Sequence, residues 1–318
     1  MNRIETLDVL RGFALLGIIF INIYQLVQIS WVTPNLNFEI HRILDIFVNH
    51  RFNVIFSFLF GVGFYMFLTN AEKKGKRPIV LYLRRASILL LIGIIHHYFQ
   101  PGEVLLYYAI ISLLLIPFYR TKALVDLIVG IVLIAAGSYL GFPIVILGTF
   151  LVGQWAGKIG LFQHPEKYLK GLRRTQIIAL LLIIPSYYGQ QFILDQTGMV
   201  DFAQFFGGLS LSIFYVMTIT LIMYHERFRR WMLPLGNMGR MALSNYLMQT
   251  VLILTVTNLL QWDGNVQMIT LMITATVILF AQFIASTMWL KHFNMGPVEY
   301  IWRLGTYGKA RPLLKRTE

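Results

Sequence analysis

The first long apolar run of the chain, residues 9–31, reads VLRGFALLGIIFINIYQLVQISW. A helix needs about 20 predominantly apolar residues to cross the hydrocarbon core of a bilayer, and this run is long enough. It is also too long for the apolar region of a cleaved signal peptide. The run therefore predicts a retained first membrane span.

Similar runs recur along the whole chain and predict an all-α fold, a polytopic transmembrane helical bundle of about ten spans. The ten segments are residues 9–31, 43–70, 84–100, 104–119, 123–140, 142–157, 176–190, 204–224, 240–260 and 267–290. Hydrophobic residues make up 57% of the chain and charged residues only 13%, whereas a soluble domain has about 25% charged residues. Because no connection is long enough to separate two domains, we expect residues 1–318 to form one integral-membrane domain.

The net charge of +13 would indicate a nucleic-acid partner if the protein were soluble. With ten spans, however, 25 of the 27 lysines and arginines fall on one side, and only Arg42 and Arg51 fall on the other. The positive-inside rule makes the basic side cytoplasmic. The charge therefore predicts cytoplasmic N- and C-termini, and the nucleic-acid interpretation is rejected.

Several classes of chemistry have no counterpart in the sequence. The chain has no cysteine, which excludes disulfides, thiolate nucleophiles and Cys-bound zinc. It has no P-loop, no His-Glu-x-x-His motif and no dinucleotide-binding glycine pattern. We therefore expect no metal. No charged residue lies at a span centre, which makes an ion pathway less expected without excluding a transporter.

Four histidines, His41, His50, His96 and His97, lie at or near the outer ends of predicted spans. His41 is followed four residues later by Asp45, so the two side chains share one face of a helix. A carboxylate that holds one ring nitrogen raises the basicity of the imidazole, as general-base catalysis requires. A local ion pair at a hydrated helix end fits the spacing equally well, and the other three histidines remain alternatives.

Asn22, Gln25 and Gln28 are spaced by three and form a polar stripe on the outer half of the first span. Amides that face lipid are costly, so the stripe is expected to face the interior of the bundle. There it would bind a substrate, or it would form hydrogen bonds between helices without any chemistry.

A candidate anion site lies on the basic side, formed by Arg240, Asn245 and Arg84 or Arg85. Arginine matches phosphate groups with a planar fork of donors. A glycine-rich turn at 236–239 is expected to bring backbone N–H groups close to the same anion. Simple anchoring of Arg240 at the membrane interface is the alternative.

Several motifs resemble those of the YeiB-like family of bacterial membrane proteins. They are RIETLDVLRG at 3–12, FSFLFG at 56–61, YLRR at 82–85, GRMALSNY at 239–246 and GPVEYIWR at 296–303. The resemblance covers both ends of the chain and implies a multi-pass protein of a bacterial cell membrane. About the first 61 residues are also similar, more distantly, to the transmembrane acyltransferase superfamily that includes heparan-glucosaminide N-acetyltransferase.

The second resemblance implies a site and a reaction. Asn22 and His41 fall where the acetyltransferase has its functional Asn and His, and Glu103 stands where the YeiB-like family often has Asp. It implies transfer from acetyl-CoA or another acyl-CoA, bound on the cytoplasmic side, to an extracytoplasmic acceptor, either a small molecule or a glycan. Taken together with the residue patterns described above, it predicts a site with His41, Asp45, Asn22 and His96 as catalytic residues, Arg240, Asn245, Arg84 and Arg85 as cofactor-binding residues, and Gln25, Gln28 and Glu103 as substrate-binding residues.

Two further functions stay open on the sequence. One is a transporter or permease for a small metabolite, with the polar stripe lining its path. The other is a non-enzymatic membrane component. Membrane lipids are expected partners in every case, and a homodimer is left open.

Overall fold

The structure, a computed structural model, describes residues 4–27, 36–262, 266–309 and 312–315, without the side chains of Ser138 and Asp201. Over these residues the chain is α-helical and forms no β-strand. The helices are α1 (Glu5–Leu26), α2 (Leu36–Phe47), α3 (Arg51–Lys73), α4 (Pro78–Phe99), α5 (Leu105–Ile111), α6 (Ala123–Leu140), α7 (Phe142–Ile159), α8 (Leu169–Thr197), α9 (Val200–Tyr224), α10 (Glu226–Arg240), α11 (Ala242–Leu259), α12 (Met268–His292) and α13 (Pro297–Tyr307). A 3₁₀ segment, Ser112–Phe118, continues α5.

Seven helical segments of the described chain are long and apolar enough to cross a membrane. They are α1, Leu36–Lys73, α4, α7, Pro165–Thr197, Phe202–Tyr224 and α12. The shorter apolar helices Leu105–Phe118 and Ala123–Gly137 occupy two further predicted spans, and α11 occupies the predicted span 240–260. The predicted fold class, an all-α helical membrane bundle, is thereby confirmed, and ten is an approximate count of its spans.

The predicted second span, 43–70, is in fact divided into α2 and α3. His50 separates them and has a positive φ of 58°, which is uncommon for a residue other than glycine. Backbone hydrogen bonds from Val48 and Asn49 to the carbonyl of Leu44 close the turn before it. As a result α2 is a separate amphipathic helix at the end of the bundle, and it carries His41 and Asp45.

The glycine-rich turn predicted at 236–239 is wrong, because these residues are helical and belong to α10. Their glycines allow close packing instead of a turn. A Cβ atom on Gly239 would lie 1.8 Å from the backbone oxygen of Asp8, and one on Gly12 would lie 2.1 Å from that of Leu235. Helices α1 and α10 therefore cross in direct backbone contact, and Gly12 of the N-terminal motif has a packing role.

Helix α1 lies at the centre of the bundle and α8 at its periphery. Val9, Leu10 and Ile19 of α1 are completely buried, whereas Leu181 and Ile184 of α8 are about two-thirds exposed. An apolar helix face of this kind suits contact with lipid hydrocarbon.

The bundle has two ends with different chemistry. At the basic face α1, α4 and α11 begin, and α3 and α12 end. At the opposite face α1, α4 and α11 end, and α3 begins; α2 lies there as well, since it precedes α3 directly. The candidate sites are arranged along this axis.

Candidate functional site

The described part of the chain forms a cavity at each face of the bundle. The basic-face cavity has a volume of about 980 Å³, and the opposite-face cavity has a volume of about 390 Å³. Ile18, Val104 and Tyr246 line both of them. These three residues form a shared wall, so the two cavities are separated by little more than one layer of side chains.

The basic-face cavity has a charged mouth and an apolar interior. Four arginines of the described chain line it, namely Arg11, Arg85, Arg240 and Arg303. Along α3 the lining runs from Asn70, near the basic end of the helix, to Phe60 and Phe56, closer to its other end. A ligand with anionic groups at one end and a narrower, less polar extension would match this distribution.

Helix α13 covers one side of the cavity mouth and fixes Arg85. The guanidinium carbon of Arg85 lies 3.4 Å from the ring centroid of Trp302 and 5.1 Å from that of Phe67. Trp302 Nε1 in turn donates a hydrogen bond of 2.8 Å to the backbone oxygen of Arg85. Cation–π stacking therefore holds this arginine in place at the cavity wall.

Glu299 of α13 caps the start of α11. Its carboxylate accepts hydrogen bonds from the backbone N–H groups of Leu243 and Ser244, at 2.7 and 3.1 Å, and from the Ser244 hydroxyl. Burial raises the pKa of Glu299, while these hydrogen bonds act in the opposite direction. A carboxylate at a helix N-terminus is favoured by the helix dipole, so Glu299 of the C-terminal motif stabilises the start of α11, the helix that carries Tyr246.

The opposite-face cavity contains the predicted histidine–aspartate pair. His41 Nδ1 lies 3.1 Å from Asp45 Oδ2, and both residues line the cavity. Asp45 Oδ1 accepts a hydrogen bond of 3.1 Å from Asn49 Nδ2, which also donates to Gln204 Oε1 at 3.0 Å. Asp45 is thus held by a neighbour on the α2–α3 turn, and it can orient the imidazole of His41. His50 lines the same cavity and packs against Phe205.

Two members of the predicted polar stripe line this cavity as well. Asn22 is 5% exposed, and its Nδ2 has no hydrogen-bond partner within the described ranges of the chain. Gln25 Oε1 lies 3.5 Å from the side-chain nitrogen of Gln100. Asn22 therefore faces the interior, as expected, whereas Gln25 lines the cavity but is exposed; Gln28, the third member of the stripe, lies outside the described residues.

His96 and Glu103 are neighbours, but they line neither cavity. His96 Nδ1 lies 2.7 Å from Glu103 Oε2, and His96 Nε2 lies 2.9 Å from Thr250 Oγ1. Glu103 Oε1 also accepts a hydrogen bond from the backbone N–H of Leu106. Both residues are buried and link α4, α5 and α11. Their predicted roles in catalysis and acceptor binding remain predictions, and the geometry favours a supporting position.

The predicted anion-binding set is split by the fold. Arg85 and Arg240 line the basic-face cavity, but Arg84 is exposed and lies outside it. Asn245 is buried and donates to the Met238 oxygen at 3.1 Å and to Ser286 Oγ at 2.9 Å. Asn245 therefore connects α11 to its neighbours and does not line the cavity.

Three residues of the site were not assigned to it from the sequence. Arg11 pairs with Asp8 within α1, at 3.2 Å, and it lines the cavity as well. Arg303 was counted only as a basic residue of the C-terminal tail, although it belongs to the GPVEYIWR motif. Tyr246 is the last residue of the GRMALSNY motif, and this position was the only feature of the sequence that marked it as a possible site residue. Within the described residues no group of His, Asp and Glu side chains is suited to hold a metal ion.

The protein is thus an all-α membrane protein with a cavity at each face of its helical bundle. Residues 156–309 match a family model described as "Protein of unknown function (DUF418)". Three bacterial relatives align with the whole chain. An "Uncharacterized 39.9 kDa protein in amylase 3'region" of Bacillus acidopullulyticus is 37% identical, and the alignment covers 97% of its length. YxaH of Bacillus subtilis is 28% identical over 97% of its length, and YeiB of Escherichia coli is 26% identical over its full length. The chain belongs to this YeiB-like family. No solved structure gives a significant match.

Proposed function

We propose that the protein is an integral-membrane acyltransferase of a bacterial cell membrane. It moves an acetyl or similar group from acyl-CoA, bound in the basic-face cavity, to a hydroxyl or amine acceptor in the opposite-face cavity. One observation carries the proposal: the two cavities enter from opposite faces and meet at Ile18, Val104 and Tyr246. The proposal places the basic face and both termini in the cytoplasm, where acyl-CoA is made.

The basic-face cavity suits the donor. Coenzyme A carries phosphate groups at one end and its thioester at the end of a long, flexible arm. Arg11, Arg240 and Arg303 line the charged region and would bind the phosphates through paired N–H donors. The apolar part of the cavity would then lead the thioester toward the shared wall. The cavity volume of about 980 Å³ lies within the usual range for ligand pockets, roughly 300–1,000 Å³.

The opposite-face cavity suits the acceptor. Acyl transfer needs a base that takes a proton from the attacking hydroxyl or amine. His41, oriented by Asp45, lies on the lining of this cavity, and histidine titrates close to neutral pH. The amides of Asn22 and Gln25 lie on the same lining and can bind the polar groups of an acceptor.

A transporter is the second candidate, and the same shared wall supports it. Two cavities separated by one layer of side chains are also suited to alternating access, in which a small motion opens one cavity and closes the other. The pairing of His41 with Asp45, held in turn by Asn49, favours acyl transfer. A permeation path for a neutral metabolite has no need of an oriented base.

The donor site can be tested with a matched pair of arginine variants. Arg240→Ala removes a guanidinium from the cavity lining, so the affinity for acetyl-CoA should fall about tenfold or more, as expected for the loss of a charged hydrogen bond. Arg84→Ala removes an exposed arginine outside the cavity and should leave the affinity within about twofold. Calorimetric titration of the purified proteins measures both. Equal affinities in the two variants would contradict the assignment of this cavity to the donor.

The proposed base can be tested by turnover with a small acceptor. His41→Ala should reduce the release of CoA from acetyl-CoA, with hydroxylamine as acceptor, by about 10²–10⁴-fold. The affinity for acetyl-CoA should not change, because His41 is assigned to the opposite-face cavity. Near-normal turnover in His41→Ala would remove His41 from the mechanism, and a wild-type protein that neither binds nor consumes acyl-CoA would favour the transporter.

A further inference from the structure

We propose that Tyr246 is a catalytic residue, and that its hydroxyl and the side-chain amide of Asn22 together stabilise the oxyanion of the acyl transfer. The inference rests on the proposed function and places the reaction at the shared wall. In a chain whose apolar spans contain many aromatic residues, the sequence distinguishes Tyr246 only by its place at the end of the GRMALSNY motif.

Tyr246 occupies the one position that such a role requires. It lines the basic-face cavity and the opposite-face cavity, and its side chain is only 5% exposed. Asn22 lines the opposite-face cavity together with Tyr246, and Val104 lines both cavities with it. A thioester that enters from the basic face and an acceptor that enters from the opposite face would meet at this residue.

Asn22 supplies the second donor. Its Nδ2 is buried and has no hydrogen-bond partner in the part of the chain that the structure describes. A buried donor without a partner costs about 1–3 kcal/mol, and such groups in a folded protein usually have a functional reason. An oxyanion that forms beside Tyr246 would provide the missing acceptor. Two donors that converge on one oxygen are the usual arrangement of an oxyanion hole.

A buried network behind Tyr246 fixes its position. The ring of His96 packs edge-on against the ring of Tyr246, with 5.0 Å between the centroids. Both nitrogens of His96 are held, one by Glu103 and one by Thr250. Oxyanion donors are effective when they are already in place before the reaction. His96 and Glu103 are therefore positioning residues, which accounts for a histidine that lines neither cavity.

The step can be written with its atoms and charges balanced. The acceptor oxygen or nitrogen attacks the thioester carbon while His41 takes its proton. The electron pair of the carbonyl bond moves to the oxygen, where the Tyr246 hydroxyl and Asn22 Nδ2 donate to it. When the pair returns, the carbon–sulfur bond breaks and CoA leaves into the basic-face cavity. The thiolate receives the proton from His41, directly or through water, and the products are the acylated acceptor and CoA-SH.

The experiment compares Tyr246→Phe with Tyr215→Phe in the full-length purified protein. Tyr246→Phe removes one oxyanion donor and should lower kcat by about 10²–10³-fold, with acetyl-CoA as donor and hydroxylamine as acceptor. The affinity for acetyl-CoA and the KM should stay close to those of the wild type. Tyr215 lines neither cavity, and its hydroxyl lies 3.4 Å from the Phe47 oxygen. Tyr215→Phe should therefore keep the wild-type kcat.

Asn22→Ala serves as the second variant and should show the same loss of kcat, including where Tyr246→Phe fails to fold. If the wild type turns over acetyl-CoA and a folded Tyr246→Phe protein keeps its kcat, the inference is wrong while the proposed function stands. If Tyr246→Phe weakens acetyl-CoA binding as strongly as it lowers kcat, Tyr246 belongs to the donor site and the inference is also wrong. If the wild type shows no turnover, the proposed function itself fails.

Discussion

At the scale of single residues, the least expected feature is a buried ion pair between two helices. Lys158 Nζ lies 2.7 Å from Asp126 Oδ2, and the two side chains are 7% and 0% exposed. Lys158 also donates to the backbone oxygens of Phe118 and Thr121. The pair joins α6, α7 and the end of the 3₁₀ segment. From the sequence Lys158 is simply one more basic residue at the end of a span, because only the fold brings Asp126 to it.

This pair leads to a prediction about stability. Lys158→Met should destabilise the protein by about 3–5 kcal/mol, because it leaves a buried carboxylate without its counter-charge. The double variant Lys158→Met, Asp126→Leu removes both charges, and it should recover most of the loss. Denaturant titration in detergent measures the free energy of unfolding of each variant. A double variant that is as unstable as the sum of the two single variants would show that the charges are not coupled.

Side chains within one helix turn were predictable, whereas side chains brought together by the fold were not. His41 and Asp45 are four residues apart on one helix, and they do form the expected pair. His96 meets Glu103 across the α4–α5 turn and Thr250 from a distant helix. Spacing in the sequence carries no signal for contacts of that second kind.

At the scale of helices, apolar runs located most elements well. The predicted segment 123–140 has the same ends as α6. The search for apolar runs missed α10, because this helix begins with the charged sequence ERFRR and has no apolar run long enough for a span. An amphipathic helix of this kind is stabilised by packing against α1, and its glycines are helical because they lie against that neighbour.

The crossing of α1 and α10 can be tested with two glycine variants. Gly239→Ala places a methyl group against the Asp8 backbone. The two helices would have to separate, so we expect a loss of about 1–3 kcal/mol or more, as for overpacked cores. Gly171→Ala in α8 meets nothing within 4 Å and should be neutral or stabilising by up to about 1 kcal/mol. Thermal unfolding of the two purified variants makes the comparison, and equal melting temperatures would refute close contact at Gly239.

For the whole molecule, the distribution of basic residues predicted which face of the bundle holds the charged cavity, but not how far this cavity extends into the bundle. The positive-inside rule places 25 basic residues on one side of the membrane and two on the other. The same rule identifies the face of the bundle at which four described arginines line a cavity. It carries no information on where that cavity ends. The shared wall depends on Ile18, Val104 and Tyr246, which come from three separate helices or turns and look like ordinary core residues in the sequence.

The central claim is that an acyl group passes across the shared wall while CoA stays on the basic side. Vesicles with the basic face outward test it most directly. Their orientation can be confirmed by labelling a cysteine introduced as Lys74→Cys, since the chain has none of its own. Acetyl-CoA labelled in the acetyl group is supplied outside, and impermeant amino sugars and sugar alcohols are trapped inside.

We expect labelled acetyl groups on the trapped acceptors, an equal amount of CoA-SH outside, and the loss of both signals in Tyr246→Phe vesicles. Labelled acetyl-CoA that accumulates intact inside the vesicles would instead identify a transporter, and CoA-SH found inside would show that the donor itself crosses the shared wall.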